Sequence, residues 1–186
     1  MRREKLNKMK ITFTLLSLAV AIGITLALLG RGTTAKLKVG DPAPTMQAAE
    51  WIQGPPVNAF EPGKVYIVEF WATWCGPCRA SIPHLNDLHQ KYKDAGLIVI
   101  GQNVSEPDEQ AVAPFVKAMG GTMGYGVALD DRNRETEGAM AVTWMRAANL
   151  AGIPAAFVID KKGRIAWIGH PMQLREGLLQ NLLLAP

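Results

Sequence analysis

Apolar runs and segments of helical periodicity alternate along residues 39–186. Val65–Trp71 is almost continuously apolar and rich in β-branched and aromatic residues, which is typical of a strand covered on both faces. The other apolar runs that predict strands are residues 97–100, 127–129, 156–159 and 165–168. The last two flank a turn-forming Asp-Lys-Lys-Gly segment and therefore predict an antiparallel hairpin. Residues 42–63 are rich in proline and are interpreted as an irregular lead-in with room for a short hairpin.

Four further segments place apolar residues three and four positions apart, which is the spacing of one face of a helix. They are residues 78–95, 109–119, 136–150 and 173–184. The first carries Ile82, Leu85 and Leu88 and ends at Gly96, a residue type that commonly stops helices. Because strands and helices alternate, and a hairpin and a helix close the chain, residues 39–186 are predicted to form one α/β domain with a central mixed β-sheet flanked by helices.

The net charge of +4 belongs to one end of the chain. Residues 1–10 contain five Lys or Arg and one Glu, whereas the other 176 residues contain fifteen of each sign. A nucleic-acid-binding domain would need its cations clustered on the folded body, so we expect no nucleic acid partner. A hydrophobic fraction of 48% with 19% charged residues also excludes disorder over most of the chain.

Residues 11–30 form an uncharged apolar stretch directly after the basic segment. Their number matches a helix that crosses the hydrocarbon core of a bilayer, which predicts an N-terminal transmembrane anchor. The cations ahead of it would keep residues 1–10 in the cytoplasm, and residues 31–38 would tether the domain on the far side. A cleaved signal sequence ending near Ala35 is the alternative. Either way, we expect the domain on the periplasmic side of a bacterial cytoplasmic membrane.

The only two cysteines, Cys75 and Cys78, stand in the sequence Trp-Cys-Gly-Pro-Cys, between the predicted strand and the start of a predicted helix. The free amide hydrogens and partial positive charge of a helix N-terminus favour a thiolate at Cys75. Pro77 lacks an amide hydrogen and fits the first helical turn, and Gly76 permits a close approach. This spacing predicts a reversible disulfide in which Cys75 is the exposed nucleophile and Cys78 resolves the mixed disulfide.

Two other interpretations of the cysteine pair are weaker. A purely structural disulfide would close so small a loop that it constrains the unfolded chain little. A zinc site would have to recruit His84 and His89, because the chain has no second pair of cysteines. We therefore expect neither a metal nor a cofactor at the pair.

Residues 70–79, Phe-Trp-Ala-Thr-Trp-Cys-Gly-Pro-Cys-Arg, together with Pro83, resemble the active site of the thioredoxin superfamily. The N-terminal anchor, the Gly-Asp-Pro-Ala-Pro lead-in at residues 40–44 and an insertion before the last hairpin resemble the membrane-anchored TlpA/ResA-like branch. The resemblance covers residues 39–184 and implies a thioredoxin-like fold and thiol–disulfide oxidoreductase activity. The Gly-Pro dipeptide between the cysteines resembles that of reducing members.

The resemblance also implies roles for residues outside the cysteine pair. The superfamily has a cis-proline facing the disulfide, and Pro154 takes that place, which would leave the backbone of Ile153 to pair with a client chain. Trp74 would cover the disulfide and, with Gly76, Pro77, Ile153 and Pro154, form the substrate-binding surface. Glu69 stands where thioredoxins have a buried aspartate, so burial would raise its pKa and fit it to accept the proton of the resolving cysteine.

Two departures from the branch bear on its physiological role. Members that serve cytochrome c maturation usually carry a glutamate where this chain has Ser81, and an acidic residue in the loop that reads Asn-Leu-Ala-Gly at residues 149–152. A general dithiol-exchange role is therefore favoured, with disulfide-bearing or dithiol proteins as clients and a transmembrane dithiol carrier as electron donor. A peroxiredoxin-like peroxidase would need a threonine at Ala72, and a copper-handling module of this fold would have a wider gap between its cysteines.

Overall fold

A six-stranded mixed sheet forms the centre of the computed structural model, which describes residues 36–132 and 137–185. The strands are β1 (Ala48–Gln53), β2 (Val65–Trp71), β3 (Leu97–Asn103), β4 (Gly126–Asp130), β5 (Ala155–Ile159) and β6 (Ile165–Gly169). Their order across the sheet is β1-β4-β3-β2-β5-β6. Strands β2, β3 and β4 run parallel, whereas β1 pairs antiparallel with β4, β5 with β2, and β6 with β5. The predicted mixed sheet is confirmed.

Strand β2 lies inside the sheet between β3 and β5, and every one of its residues is buried. Its side chains alternate between two apolar cores, as the pleat of a strand requires. Ile67 and Trp71 face the core that contains both cysteines, whereas Val68 and Phe70 face the opposite core. Glu69 belongs by this alternation to the cysteine side, so β2 delivers both a carboxyl group and the chain leading to the disulfide to one face.

Helices cover both faces of the sheet. On the cysteine side lie α1 (Gly76–Tyr92), α2 (Val112–Met119) and α3 (Glu176–Leu184). The opposite face is covered by residues 139–146, which end in the wide turns of a π-helix at Ala141–Arg146 and bury Met140 and Trp144 against the sheet. The four predicted helical segments are thus confirmed, although the segment at 136–150 is shorter than predicted and is mostly not α-helical.

The lead-in at residues 42–63 contributes one strand and not a hairpin. Strand β1 extends from this segment to pair antiparallel with β4 at the edge of the sheet. The side-chain amide of Gln53 donates to the backbone carbonyls of Met123 and Tyr125, both at 2.6 Å, and Trp51 packs against the apolar core. These contacts bind the segment to distant residues, so it has no need of a partner strand within itself.

The predicted anchor at residues 11–30 and its basic flank lie outside the described residues. Among residues 36–132 and 137–185, no helix combines the length and apolar character needed to span a bilayer. The predicted division of the N-terminal region therefore stays a prediction.

Candidate active site

The cysteine pair sits where β2 gives way to α1. Cys75 is the N-cap of the helix, and its sulfur accepts a 3.2 Å hydrogen bond from the backbone amide of Cys78. Gly76 and Pro77 occupy the first helical turn, where a proline removes no helical hydrogen bond. The two sulfurs form a disulfide, with the Cα atoms 5.2 Å apart. An amide hydrogen and the positive end of a helix thus point at the Cys75 sulfur, and both favour the thiolate once the disulfide is reduced.

The two sulfurs are well covered in this oxidised form. Cys75 is 4% exposed and Cys78 is fully buried, so Cys75 is less open than the predicted exposed nucleophile. The reason is that both cysteines pack into the apolar core on the face of the sheet that Ile67 and Trp71 cover. Trp74, by contrast, is 57% exposed and presents its ring beside the disulfide-bearing turn. Gly76 and Pro77, which lie between the cysteines, are exposed as well.

Glu69 is fully buried on the cysteine side of the sheet. One carboxyl oxygen, Oε1, lies 2.8 Å from the hydroxyl oxygen of Ser81 on α1, and Oε2 lies 3.4 Å from the hydroxyl oxygen of Tyr125, just before β4. Burial raises the pKa of Glu69 to about 8, against the lowering effect of these two hydroxyl groups. The carboxyl group therefore changes its protonation state near neutral pH, a range suited to proton transfer.

Ser81 lies between Glu69 and the second cysteine. Its hydroxyl oxygen is 2.7 Å from the backbone carbonyl oxygen of Cys78, in addition to its contact with Glu69. Neither Ser81 nor Tyr125 is identified as a site residue from the sequence. The sequence could have identified Ser81 as a neighbour of Cys78, because residues three apart lie on the same face of a helix. Tyr125 has no comparable signal.

A second buried carboxylate, Glu106, holds the chain just ahead of the nucleophile. It accepts hydrogen bonds of 2.8 Å from the backbone amide of Thr73 and 2.8 Å from the Thr73 hydroxyl. The neighbouring Ser105, whose φ of 52° is unusual for a residue other than glycine, turns its carbonyl to accept a 3.1 Å bond from the indole of Trp74. The carboxyl ends of the parallel strands β2 and β3 meet at one edge, which is the signal that could have suggested this pairing.

The Ile153–Pro154 peptide bond is cis, as the resemblance implies. Strand β5 begins after it, at Ala155, so the backbone of Ile153 lies outside the hydrogen-bonded ladder between β5 and β2. A groove of about 500 Å³ lies between Ile153 and Trp74. The remaining residues that line it are Ser105, Glu137, Ala141, Met145, Arg146, Leu150, Ala151 and Gly152. The structure thus brings Trp74, which directly precedes Cys75, and the segment ahead of the cis-proline to one groove.

The histidines on α1 do not assemble a metal site with the cysteines. Within residues 36–132 and 137–185, no three His, Cys, Asp or Glu side chains are grouped so that they could hold a metal ion. The ring nitrogens His84 Nε2 and His89 Nδ1 are buried without a hydrogen-bond partner in the described structure.

A disulfide at the N-terminus of the helix that follows a central strand, with a cis-proline directly before the neighbouring strand, defines a thioredoxin-like thiol–disulfide oxidoreductase. The chain belongs to the Redoxin family, whose model matches residues 38–176. Enzymes of this class act on disulfide-bearing client proteins, and this chain is such an oxidoreductase of the TlpA/ResA-like type.

Comparison with known proteins agrees with this assignment. Protein FixW of Rhizobium leguminosarum is 32% identical over 152 residues, which cover 76% of this chain and 65% of FixW, just under two thirds. The thiol-disulfide oxidoreductase ResA of Bacillus anthracis is 31% identical over 152 residues, which cover 81% of this chain and 80% of ResA. A thiol-disulfide isomerase from Corynebacterium glutamicum shares the fold, with a TM-score of 0.61 at 24% identity over 76% of this chain and 94% of that chain.

Proposed function

We propose that the protein is an extracytoplasmic reductase of protein disulfides, anchored in the bacterial cytoplasmic membrane by residues 11–30. The uncharged apolar stretch behind a basic segment supports the location, with a cleaved signal sequence as the alternative. The Gly76-Pro77 dipeptide, which resembles that of reducing members, supports the direction. A reductant outside the cytoplasm needs electrons from the inside, so a transmembrane dithiol carrier is the proposed donor.

The observation that carries the chemistry is the amide hydrogen bond from Cys78 to the sulfur of Cys75 at the start of α1. In the reduced enzyme, the Cys75 thiolate attacks one sulfur of a client disulfide and the other client sulfur leaves as a thiolate. The Cys78 sulfur then attacks Cys75 and releases the second client sulfur. Two electrons pass to the client, and the enzyme ends in the disulfide form that the structure has.

Glu69 is proposed to accept the proton that Cys78 must lose before it can attack. Its carboxyl group is buried on the same face of the sheet as Cys78. Its pKa of about 8 lies close to neutral pH, where a proton acceptor is most effective. When a donor later reduces the disulfide, the same proton returns to the Cys78 sulfur. The carboxyl group therefore ends each full cycle in its starting state.

The client is proposed to lie along the groove between Trp74 and Ile153. Trp74 is exposed beside the disulfide, Gly76 and Pro77 form the helical turn between the cysteines, and Pro154 has no amide hydrogen to offer. The backbone of Ile153, outside the ladder of β5, would pair with an extended client segment as an added strand. This pairing would hold the client cysteine over Cys75 during exchange.

The exchange chemistry is tested by reduction of insulin with dithiothreitol as the electron source. We expect the Cys75→Ser variant to lose the catalysed reaction, and full activity in this variant would contradict the assignment of the nucleophile. The Cys78→Ser variant should accumulate mixed disulfides with client proteins in cells. The variant with both Cys75→Ser and Cys78→Ser is the control that cannot form them. Absence of trapped species from the single variant would contradict protein clients.

Direction and location need separate measurements. A reducing role predicts that the Cys75–Cys78 pair is found mainly as the dithiol in growing cells and has a low reduction potential. A pair found mainly as the disulfide in cells, with an oxidising potential, would contradict that role. For location, a thiol reagent that cannot cross membranes should label the reduced pair in cells with a permeable outer layer, and labelling only after lysis would contradict an extracytoplasmic domain.

A further inference from the structure

The hydroxyl group of Ser81 has two acceptor-type neighbours and a single proton. Its oxygen lies 2.7 Å from the carbonyl oxygen of Cys78 and 2.8 Å from Glu69 Oε1, and Ser81 is fully buried. A hydroxyl group donates one hydrogen bond, so it cannot donate to both oxygens at once. Both contacts are satisfied together only when the Glu69 carboxyl carries a proton and donates it to Ser81. The arrangement is therefore that of a protonated Glu69 in the disulfide form.

We propose that Ser81 is a positioning residue that couples the protonation of Glu69 to the backbone of Cys78. While Glu69 is protonated, the Ser81 hydroxyl accepts from it and donates to the carbonyl of Cys78. When Glu69 is ionised, the same hydroxyl turns and donates to the carboxylate. This inference rests on the proposed role of Glu69 as the proton acceptor.

The surroundings of Glu69 leave Ser81 as its closest polar neighbour. On the neighbouring strands, Gly101 of β3 and Ala156 of β5 stand in register with Glu69 and bring no polar side chain. Before β4, the Tyr125 hydroxyl lies farther away, at 3.4 Å from Oε2, and its ring contacts His89 of α1.

No charged group hydrogen-bonds to Glu69 among the described residues, and the titratable group that does so is the Tyr125 hydroxyl. Burial raises the pKa of Glu69, and the Ser81 hydroxyl is the stronger of the two groups that lower it. Ser81 is thus placed to stabilise the ionised carboxylate that the proton transfer requires.

The coupling follows the proton through the second half of the exchange. The S–H bond of Cys78 breaks as its proton moves to Glu69, the Cys75–Cys78 bond forms, and the bond between Cys75 and the client breaks to release a client thiolate. The Ser81 hydroxyl then turns from Glu69 to the carbonyl of Cys78, whose oxygen lies 2.7 Å away in the disulfide form. Reduction by the donor runs these changes in reverse.

The test compares single-turnover reduction of a disulfide client by the full-length Ser81→Ala, Ser81→Thr and wild-type proteins across pH. Ser81→Ala loses a hydrogen bond to Glu69 in both protonation states, but the bond to the ionised carboxylate is the stronger one, so the midpoint of the rate profile should rise by about one pH unit. We therefore expect Ser81→Ala to react about tenfold more slowly at pH 7, and Ser81→Thr, which keeps a hydroxyl group, to restore the wild-type midpoint. If Glu69→Gln itself slows the reaction, an unchanged midpoint of the rate profile in Ser81→Ala would overturn the proposal.

A readout without turnover separates this proposal from the proposed role of Glu69. Difference infrared spectroscopy follows the carboxyl band of Glu69 during a pH titration, and the Glu69→Gln protein identifies that band. The proposal requires the titration midpoint to rise in Ser81→Ala whether or not Glu69→Gln changes the rate. If the midpoint rises but Glu69→Gln reacts at the wild-type rate, the coupling stands and the role of Glu69 as proton acceptor fails. If the midpoint does not move, the coupling itself is refuted.

Discussion

The buried carboxyl group of Glu69 should make the stability of the protein fall as the pH rises. Its pKa is about 8 in the folded protein against an ordinary value of 4.5, so the folded state binds the proton more tightly than the unfolded state does. The contribution of the protonated group is complete below pH 4.5 and is lost progressively as the pH rises through 8. Glu69→Gln removes this dependence because a glutamine amide does not titrate.

The difference in unfolding free energy between Glu69→Gln and wild type should therefore grow with pH in favour of the variant. Each unit of pKa difference is worth about 1.4 kcal/mol, which gives an effect of about 3 kcal/mol at pH 7 and about 5 kcal/mol above pH 8. At pH 5 the same relation leaves under about 1 kcal/mol. The substitution also changes the hydrogen bonds to Ser81 and Tyr125, which adds a constant to this free-energy difference. The increase of the difference with pH comes from the ionisation of Glu69 in the wild type.

Denaturant unfolding of the oxidised protein between pH 5 and pH 9 measures this growth. Asp130 and His89 also have pKa values shifted by burial, but they are common to both proteins and cancel in the difference. Glu50→Gln, a substitution at an exposed position of β1, is the matched control and should track the wild type. A difference between Glu69→Gln and wild type that stays constant over this range would refute the raised pKa and the reasoning built on it.

Three further substitutions test other contacts. Glu106→Gln should lower the unfolding free energy by about 1–3 kcal/mol in denaturant titrations, since the amide cannot accept both bonds from Thr73 as the carboxylate does. Gly138→Ala should lower the melting temperature, because a Cβ at position 138 would overlap the Asp130 carboxylate, which accepts hydrogen bonds from the backbone amides of Met140 and Ala141. An unchanged melting temperature would show that the carboxylate moves without cost. Trp74→Ala should change stability by less than about 0.5 kcal/mol but slow client reduction, and equal kinetics with wild type would remove Trp74 from the client surface.

The sequence predicts the elements of this fold better than their arrangement. Strand β2 has the predicted bounds because a continuous apolar run can be satisfied only by cover on both faces. The position of β1 is not predictable in this way, since its place beside β4 depends on contacts of Gln53 with residues 70 and 72 positions away. The π-helical turns at Ala141–Arg146 likewise have the apolar spacing of an ordinary helix.

The same limit applies to the site. The cysteine pair is adjacent in the chain and its role follows from local geometry, whereas Tyr125 reaches Glu69 across 56 residues. Ser81 shows most clearly what the sequence leaves out. In the sequence it is notable only because related proteins usually have a glutamate at this position. In the structure its side chain meets the carboxyl group of Glu69, so an acid reaches that position from the strand. The absence of a glutamate at position 81 is therefore weaker evidence against a role in cytochrome c maturation than the sequence alone suggests.

Residues 139–146 serve two purposes that can change independently. Met140 and Trp144 are fully buried and pack in the same apolar core as Phe70 of β2, so they stabilise the fold. Ala141 and Arg146 of the same segment line the groove beside the disulfide. Related enzymes could therefore diverge in client preference through substitutions on the outward face alone, while the inward face keeps the scaffold and its redox chemistry constant. Engineering of new specificity has its natural starting point at these outward positions.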